Sequence, residues 1–436
     1  MDLLEKIKTR RAHVAVIGLG YVGLPLAVEI AKAGFHVVGI EQRSERVRAV
    51  NEERSYIADV DAVALGDIVR AGRLEATTAY EVLGEIDVLS ICVPTPLGKG
   101  RAPDTSFIEN ALDGSLRFLK PNQLLILEST TYPGTTEEII VPRIKEKGLV
   151  VGEDFFVVYS PERVDPGNKL FGPANTPKII GGVTTRCAVM GEAFYRQFVT
   201  SELYVVSSPK VAETEKLFEN VFRVVNISLV NELAMLCERM GIDVWEVIGA
   251  ASTKPFGFMP FYPGPGLGGH CIPLDPYYLS WKARQHGFTT QFIELAGEIA
   301  ERMPRHVVSN LGDILNRERK ALNGSRILIV GIAYKRDVDD VRESPAITLA
   351  ELLLAKGAIL SYHDPFVSRV RIGGEDYHSG PLTAETIKAV DLVLVVTDHT
   401  CIDYELISQN AHLVYDSRNA LSSFESDKIF KLGGGK

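Results

Sequence analysis

The chain has 436 residues, 46% hydrophobic and 24% charged, with a formal net charge of −9. That length suggests two or three domains of an ordinary soluble globular protein. The negative balance argues against general nucleic-acid binding, although local basic residues can still hold a phosphate. Met1–Arg11 is charged and lacks an apolar signal-peptide core, and no stretch of about 18 apolar residues is expected to span a membrane. The cysteines are Cys92, Cys187, Cys237, Cys271 and Cys401. Their odd number and the lack of zinc spacing predict a reduced, cytoplasmic protein with no metal site.

His13–Gly18 is a short β-branched strand, and Gly18-Leu19-Gly20-Tyr21-Val22-Gly23 follows it. A helix is predicted from about Leu24 to Ala33, and a second strand, His36–Ile40, ends at Glu41. This is a βαβ unit carrying a dinucleotide signature. Its glycines allow a tight turn and close approach of pyrophosphate to the helix N-terminus. Glu41 would accept hydrogen bonds from the adenosine ribose and repel a 2′-phosphate, which favours NAD over NADP. Arg46 could stack on adenine or pair with Glu41.

Further strands are predicted at Val88–Val93, Leu124–Leu127 and Phe156–Tyr159, giving a doubly wound parallel sheet through about residue 205. Three loops follow strand ends, where ligands bind in such sheets. Val93-Pro94-Thr95-Pro96 is a ligand loop or a Pro-stiffened turn. The hydroxyls of Glu128-Ser129-Thr130-Thr131 could serve a ligand or cap the next helix. In Ser160-Pro161-Glu162-Arg163-Val164, Glu162 is a general base or a loop-surface carboxylate.

Lys210–Gly241 reads as one long helix. It carries Lys216, Asn220 and Arg223 on one face, either solvated or turned toward an active site. After it comes a loop rich in glycine, proline and aromatics, Lys254–Pro276, with Tyr262, Gly264, Gly266, Gly268, His270 and Cys271. Cys271 has Asp275 four residues on. A thiolate beside a nicotinamide can trap an aldehyde as a thiohemiacetal and carry it on to a thioester, which points to oxidation as far as the acid. A second α/β region begins near Ser325, with strands Arg326–Val330, Ala358–His363, Asp391–Val396 and His412–Tyr415. Its first turn, Gly331-Ile332-Ala333, lacks the triple glycine. Lys335 and Arg418 at strand ends could hold a diphosphate or pair with nearby aspartates. The Gly433-Gly434-Gly435 tail is expected to be flexible.

Nine segments in order resemble the UDP-glucose/GDP-mannose dehydrogenase family: GLGYVGLP, VPTP, ESTTYPGT, SPER, KLFENVFR with NE, PGPGLGGHCIPLDP, GIAYKRDVDDVRESP, YHDP and YDSRNAL. The resemblance implies two Rossmann-like doubly wound α/β domains joined by a helical dimerisation region. The expected spans are an NAD domain over 1–205, a helical domain over 206–306 and a UDP-sugar domain over 307–436. It implies oxidation of a sugar C6 alcohol to a carboxylate with two NAD. Cys271 matches the nucleophile, Lys216 and Asn220 the oxyanion-stabilising pair, and Asp275 an acid/base residue. Thr131 and Glu162 match residues that position water. Tyr334, Lys335, Arg418, Arg163, Val164, Tyr262, Gly264, Gly266 and Gly268 match substrate contacts. Gly18, Gly20, Tyr21, Val22, Gly23, Glu41, Arg46, Pro94, Thr95, Thr131 and Arg342 match cofactor contacts.

Glucose-type members carry Gly-Phe-Gly-Gly-Ser-Cys-Phe around the thiol, where this chain has Gly-Leu-Gly-Gly-His-Cys-Ile. They also carry an apolar residue where Arg163 stands. An arginine they place upstream of the cysteine loop has no match in Thr253-Lys254-Pro255-Phe256. These departures resemble the branch acting on UDP-N-acetylhexosamines, most of all UDP-N-acetylglucosamine 6-dehydrogenases. A two-electron β-hydroxyacid dehydrogenase and a non-catalytic nucleotide-sugar sensor are the competing readings.

Overall fold

A computed structural model describes residues 2–57, 59–165, 167–168, 170–269 and 272–435. The chain forms two compact units, residues 1–219 with 277–288, and residues 220–276 with 289–436. The division falls inside the long helix, Pro209–Met240.

The first unit holds an eight-stranded sheet made of β1 (His13–Ile17), β2 (His36–Ile40), β3 (Leu74–Thr77), β4 (Val88–Ile91), β5 (Gln123–Leu127), β6 (Phe155–Tyr159), β7 (Lys178–Gly182) and β8 (Leu203–Val206), in the order 3-2-1-4-5-6-7-8. Side chains alternate across it. Val14 and Val16 enter one core with Leu24 and Ile30, whereas Ala15 and Ile17 enter another with Ile108 and Ile140. β4, β5 and β6 are buried on both faces, which explains the apolar runs Leu124–Leu127 and Phe155–Tyr159, with Ser90 the one polar residue inside β4.

The expectation of an all-parallel sheet needs one correction, because β7 runs antiparallel to β6. A parallel return needs a crossover, usually helical, and the described residues of 160–177 contain no helix. β3, β7 and β8 were not anticipated from sequence.

The second unit holds a parallel five-stranded sheet of β9 (Arg326–Val330), β10 (Ile359–His363), β13 (Leu392–Val395), β14 (Val414–Asp416) and β15 (Ile429–Lys431), in the order 10-9-13-14-15. A hairpin of β11 (Arg369–Ile372) and β12 (Glu375–His378) turns through Gly373 and Gly374, both at positive φ, as a tight hairpin turn requires.

Contrary to the sequence expectation, the long helix is long and apolar enough to cross a membrane by length and composition alone. Two of its polar side chains nevertheless engage the helix Gln291–Arg317. Ser228 Oγ donates to the Ala296 carbonyl at 2.7 Å, and Glu238 meets His306 at 2.7 Å. The core helix of a soluble protein passes the same length and composition test, and 44% of this apolar window is buried.

The glycine tail is also packed rather than free. Gly433 N donates to Glu238 Oε1 at 2.8 Å, and its carbonyl accepts from Val244 N at 2.8 Å. Gly433 and Gly435 have φ of +72° and +68°, and a Cβ at Gly433 would collide with Val244. Glycine is needed there for conformation and for space. Gly433→Ala is therefore expected to cost about 2 kcal/mol through overpacking and strain. A denaturant midpoint that does not move, at unchanged slope, would show the tail to be detached in solution.

Candidate functional site

The carboxyl end of β1 runs into the glycine turn. Gly18 has φ of +90°, and a Cβ there would lie 2.6 Å from the Cys92 carbonyl oxygen. A Cβ at Gly23 would collide with the Gly18 carbonyl. At Gly20 it would meet nothing within 4 Å. Gly18 and Gly23 therefore serve the turn itself, whereas Gly20 leaves open the space that a pyrophosphate approaches. Tyr21 is partly exposed at the mouth of the turn, and Val22 immediately precedes the helix Gly23–Lys32. Glu41 is buried. Its Oε2 accepts from Leu19 N at 3.2 Å and its Oε1 from Arg43 N at 3.1 Å. Arg46 pairs with Glu41 at 3.4 Å and lies over the Tyr56 ring. The carboxylate is thus fixed beside the turn, in the place from which it would accept from ribose hydroxyls. These residues fit NAD.

Two neighbouring loops are tied together. Thr95 Oγ1 donates to the Thr130 carbonyl at 2.5 Å, with Pro94 exposed beside it. Thr131 is buried, and its hydroxyl is 2.7 Å from that of Thr135. The long helix supplies a support that sequence reasoning missed. Glu213, fully buried, accepts from Gly134 N at 2.5 Å, Thr136 N at 2.9 Å and Thr136 Oγ1 at 2.7 Å. Its signal was positional, because Glu213 stands three residues before Lys216 on the same helix face.

After β6, Glu162 is not a surface carboxylate, since its side chain is only 14% exposed. Its Oε1 accepts from Arg163 N and Val164 N, both at 2.7 Å. The Arg163 guanidinium is engaged by Glu219, by Glu215 at 3.5 Å and by the Pro177 carbonyl at 2.8 Å. Contact with a substrate would require it to exchange one of these partners. Glu215 is pushed up to about 7, first by burial and then by the neighbouring Glu219 carboxylate.

Of the three polar residues expected on one helix face, Lys216 and Asn220 are buried and Arg223 is exposed. Lys216 makes no ion pair with a described residue. Asn220 Nδ2 donates to Asp275 Oδ2 at 2.5 Å, and both residues are buried. Asp275 opens the helix Asp275–Gln285. Cys271 and His270 lie outside the described residues.

The loop ahead of them is described, and its glycines have a second purpose besides admitting a ligand. A Cβ at Gly268 would lie 2.8 Å from Tyr334 Cβ and 3.0 Å from the Glu343 carbonyl. One at Gly269 would lie 2.8 Å from the Tyr334 ring, and one at Gly264 would lie 2.5 Å from Arg418 Nη1. Gly266 faces Pro345 in the same way. Gly269 N donates to the Arg342 carbonyl at 3.0 Å. Residues 264–269, ahead of the cysteine, are therefore seated on the loops that follow β9 and β14. Asn231, buried in the long helix, accepts from Gly264 N at 2.9 Å and was also missed. Tyr262, half exposed, stacks on Trp245.

Those strand-end loops carry the remaining predicted residues. Arg418 Nε donates to the Val396 carbonyl at 2.9 Å, and burial lowers its guanidinium below the ordinary value. A desolvated guanidinium favours an anionic ligand. Arg342 is held bidentately by Asp340, at 3.0 and 2.6 Å. Lys335 is partly buried next to Tyr334. Asp337, Glu343 and Asn419 take positive φ in these loops, the kind of strain that collects at functional sites.

The second unit's first turn differs chemically from that of the first unit. Asp364 Oδ2 accepts from Ile332 N at 2.7 Å, Ala333 N at 3.0 Å and His399 Nε2 at 3.0 Å. The amides that a pyrophosphate would use are already satisfied by a carboxylate.

Residues 12–199 match the NAD binding domain of the UDP-glucose/GDP-mannose dehydrogenase family, 210–302 its central domain and 328–423 its UDP binding domain. The chain is 35% identical over 421 residues to UDP-N-acetyl-D-glucosamine 6-dehydrogenase of Pseudomonas aeruginosa, covering 95% of this chain and 98% of that one. It is 34% identical over 425 residues to UDP-N-acetyl-D-mannosamine dehydrogenase of Pyrococcus horikoshii, covering 96% and 98%. The solved structure of a UDP-D-ManNAc dehydrogenase from Pyrococcus horikoshii superposes with a TM-score of 0.88 at 33% identity, covering 97% and 99%.

Two predictions follow from the first unit. Gly20→Ala should leave the melting temperature unchanged and weaken NADH binding about tenfold, or about 1.4 kcal/mol, whereas Gly23→Ala should destabilise the fold. Unchanged affinity in a folded Gly20→Ala variant would refute this account of the turn. Glu215 has a raised pKa in the folded state, so stability is lost as pH climbs from its ordinary value of 4.5 through about 7. The melting temperature of Glu215→Gln relative to the parent should therefore rise between pH 5 and pH 8. A difference independent of pH would count against it.

Proposed function

The chain belongs to the UDP-glucose/GDP-mannose dehydrogenase family, and from that premise we propose that it oxidises the C6 alcohol of a UDP-N-acetylhexosamine, UDP-N-acetylglucosamine foremost, to the carboxylate. NAD, when bound, accepts two hydrides, so one alcohol, one water and two NAD+ give one carboxylate, two NADH and three protons.

This chain's residues do the remaining work. A base takes the C6 hydroxyl proton in the first oxidation. Cys271 captures the aldehyde, so that no reactive intermediate escapes. Lys216, a buried ammonium, stabilises the alkoxide of the thiohemiacetal, and Asn220 donates to the same oxygen. Asp275 holds Asn220 in register and exchanges the proton. Glu162 and Thr131 orient the water that cleaves the thioester. The observation that carries the reading is the buried Asn220–Asp275 hydrogen bond of 2.5 Å, only four residues from Cys271 in sequence. A buried polar pair this close in sequence to the proposed nucleophile is a candidate for the acid–base work of the site.

The substrate choice rests on the sequence around the thiol and on the relative of that name. UDP-N-acetylmannosamine is the second reading, since relatives of nearly equal identity carry it. We also infer a homodimer through the long helix. Phe222, Leu229 and Leu236 recur at heptad spacing and are exposed in the single chain.

A panel of UDP-glucose, UDP-N-acetylglucosamine, UDP-N-acetylgalactosamine, UDP-N-acetylmannosamine and GDP-mannose should show fastest turnover of UDP-N-acetylglucosamine and two NADH per sugar. One NADH per sugar with free aldehyde would end the four-electron reading. Cys271→Ser should stall before acid release, and normal acid production by it would exclude the thioester route. Light scattering should give the mass of two chains, falling to one in Leu229→Glu.

A further inference from the structure

Under the loop that carries Glu162 lies a charged network to which the reaction above assigns no part. Lys178, the first residue of β7, has an exposure of only 6%, and Glu128, at the carboxyl end of β5, is fully buried. Lys178 Nζ donates to Glu128 Oε2 at 2.6 Å and to the Pro161 carbonyl at 3.0 Å, and lies 3.9 Å from Glu162 Oε2. Tyr195, also fully buried, donates its hydroxyl to the other oxygen of Glu128. Ser160 Oγ donates to the Ile179 carbonyl at 2.7 Å, which pins the start of the same loop to β7.

An ion pair this deep is a poor device for stability. Removing two charges from water costs several kcal/mol per ion, and a well-packed apolar pair of similar volume does as well or better. The geometry gives it a more specific use. Glu162 Oε1 is held by the amides of Arg163 and Val164. Its Oε2 has Lys178 as the only cation within ion-pair distance among the described residues. One ammonium thus grips the loop twice, through the Pro161 carbonyl and through the carboxylate itself. Glu128, itself held by Tyr195, fixes that ammonium through a third contact. The antiparallel turn of β7 is what makes this possible, because it starts β7 next to the carboxyl end of β6.

We propose that Lys178 is a positioning residue for Glu162, with Glu128 and Tyr195 as its support, and that it sets the carboxylate orientation needed for thioester hydrolysis. The proposal rests on the reaction proposed above. In that step the water oxygen bonds to the acyl carbon, the carbon–sulfur bond breaks, Cys271 leaves as thiolate, and the water proton passes to Glu162. Without Lys178, Glu128 and Glu162 are left as two carboxylates with no cation between them. Glu162 then swings away and hydrolysis slows, while the two oxidations, which do not need it, proceed.

The test is pre-steady-state NADH formation together with intact-protein mass spectrometry, on wild type, Lys178→Met, Lys178→Arg and Tyr195→Phe. For Lys178→Met we expect a burst of two NADH per site. Steady-state turnover should then fall about 10- to 100-fold, part of the roughly 10²–10⁴-fold a positioned acid–base group supplies. An acyl adduct should accumulate on the protein and KM for the UDP-sugar should change little. Lys178→Arg keeps the charge and should recover most of the turnover, with Tyr195→Phe between the two. If Lys178→Met does not fold, Tyr195→Phe carries the same burst and adduct test. Equal slowing of burst and turnover with no adduct would overturn the positioning role. If wild type itself gives one NADH per sugar, the parent reaction fails instead, so the two failures are told apart.

Discussion

Parallel pairing sends the carboxyl ends of neighbouring strands to one edge of a sheet, and the grouping of the candidate residues in both units depends on that constraint. In the first unit the edge gathers the glycine turn after β1, Glu41 after β2, the Pro94–Thr95 loop after β4, the threonines after β5 and Glu162 after β6. In the second it gathers Tyr334 and Lys335 after β9, Asp364 after β10 and Arg418 after β14. No single loop could present so many groups, and each group is only as steady as the buried strand behind it.

The loops still have to be held, and this chain holds them largely with buried carboxylates. Glu213 collects the amides of Gly134 and Thr136, Asp364 those of Ile332 and Ala333, and Glu128 anchors the ammonium beneath the Glu162 loop. Each satisfies donors that would otherwise be orphaned away from water. The same device separates the two Rossmann-like turns. In the first unit Gly20 leaves space beside the turn, and Glu41 takes a single amide of it. In the second, Asp364 takes the turn amides and His399, which leaves Arg418 and Lys335 as the proposed ligand contacts of that unit.

Much of the architecture was legible in the chain. β1, β2, β9 and the long helix are clean periodic runs bounded by glycine, and their ends agree with the structure to within a residue or two. β7 was not, because it opens with a lysine and closes with two glycines, a composition that hides a buried strand. The packed tail was misjudged for a related reason. Glycines read as slack, whereas Gly433 and Gly435 meet the end of the long helix too closely for any side chain. At the site, residue types and roles could be read, but not who holds them. Glu128, Lys178, Glu213 and Asn231 act through partners tens of residues away, and no local pattern encodes such a pairing.

Long-range pairing also has a cost in time. Glu238, near the end of the long helix, takes its hydrogen bond from the Gly433 amide, 195 residues further along. A ribosome adding about 5–20 residues per second needs roughly 10–40 s to make that stretch. Throughout that interval the helix end has neither the glycine cap nor the Trp245 contact to the Leu432 carbonyl. The first unit's sheet has by then been complete since Val206. During synthesis the end of the long helix is thus among the last parts of the second unit to be secured, together with the edge strand β15.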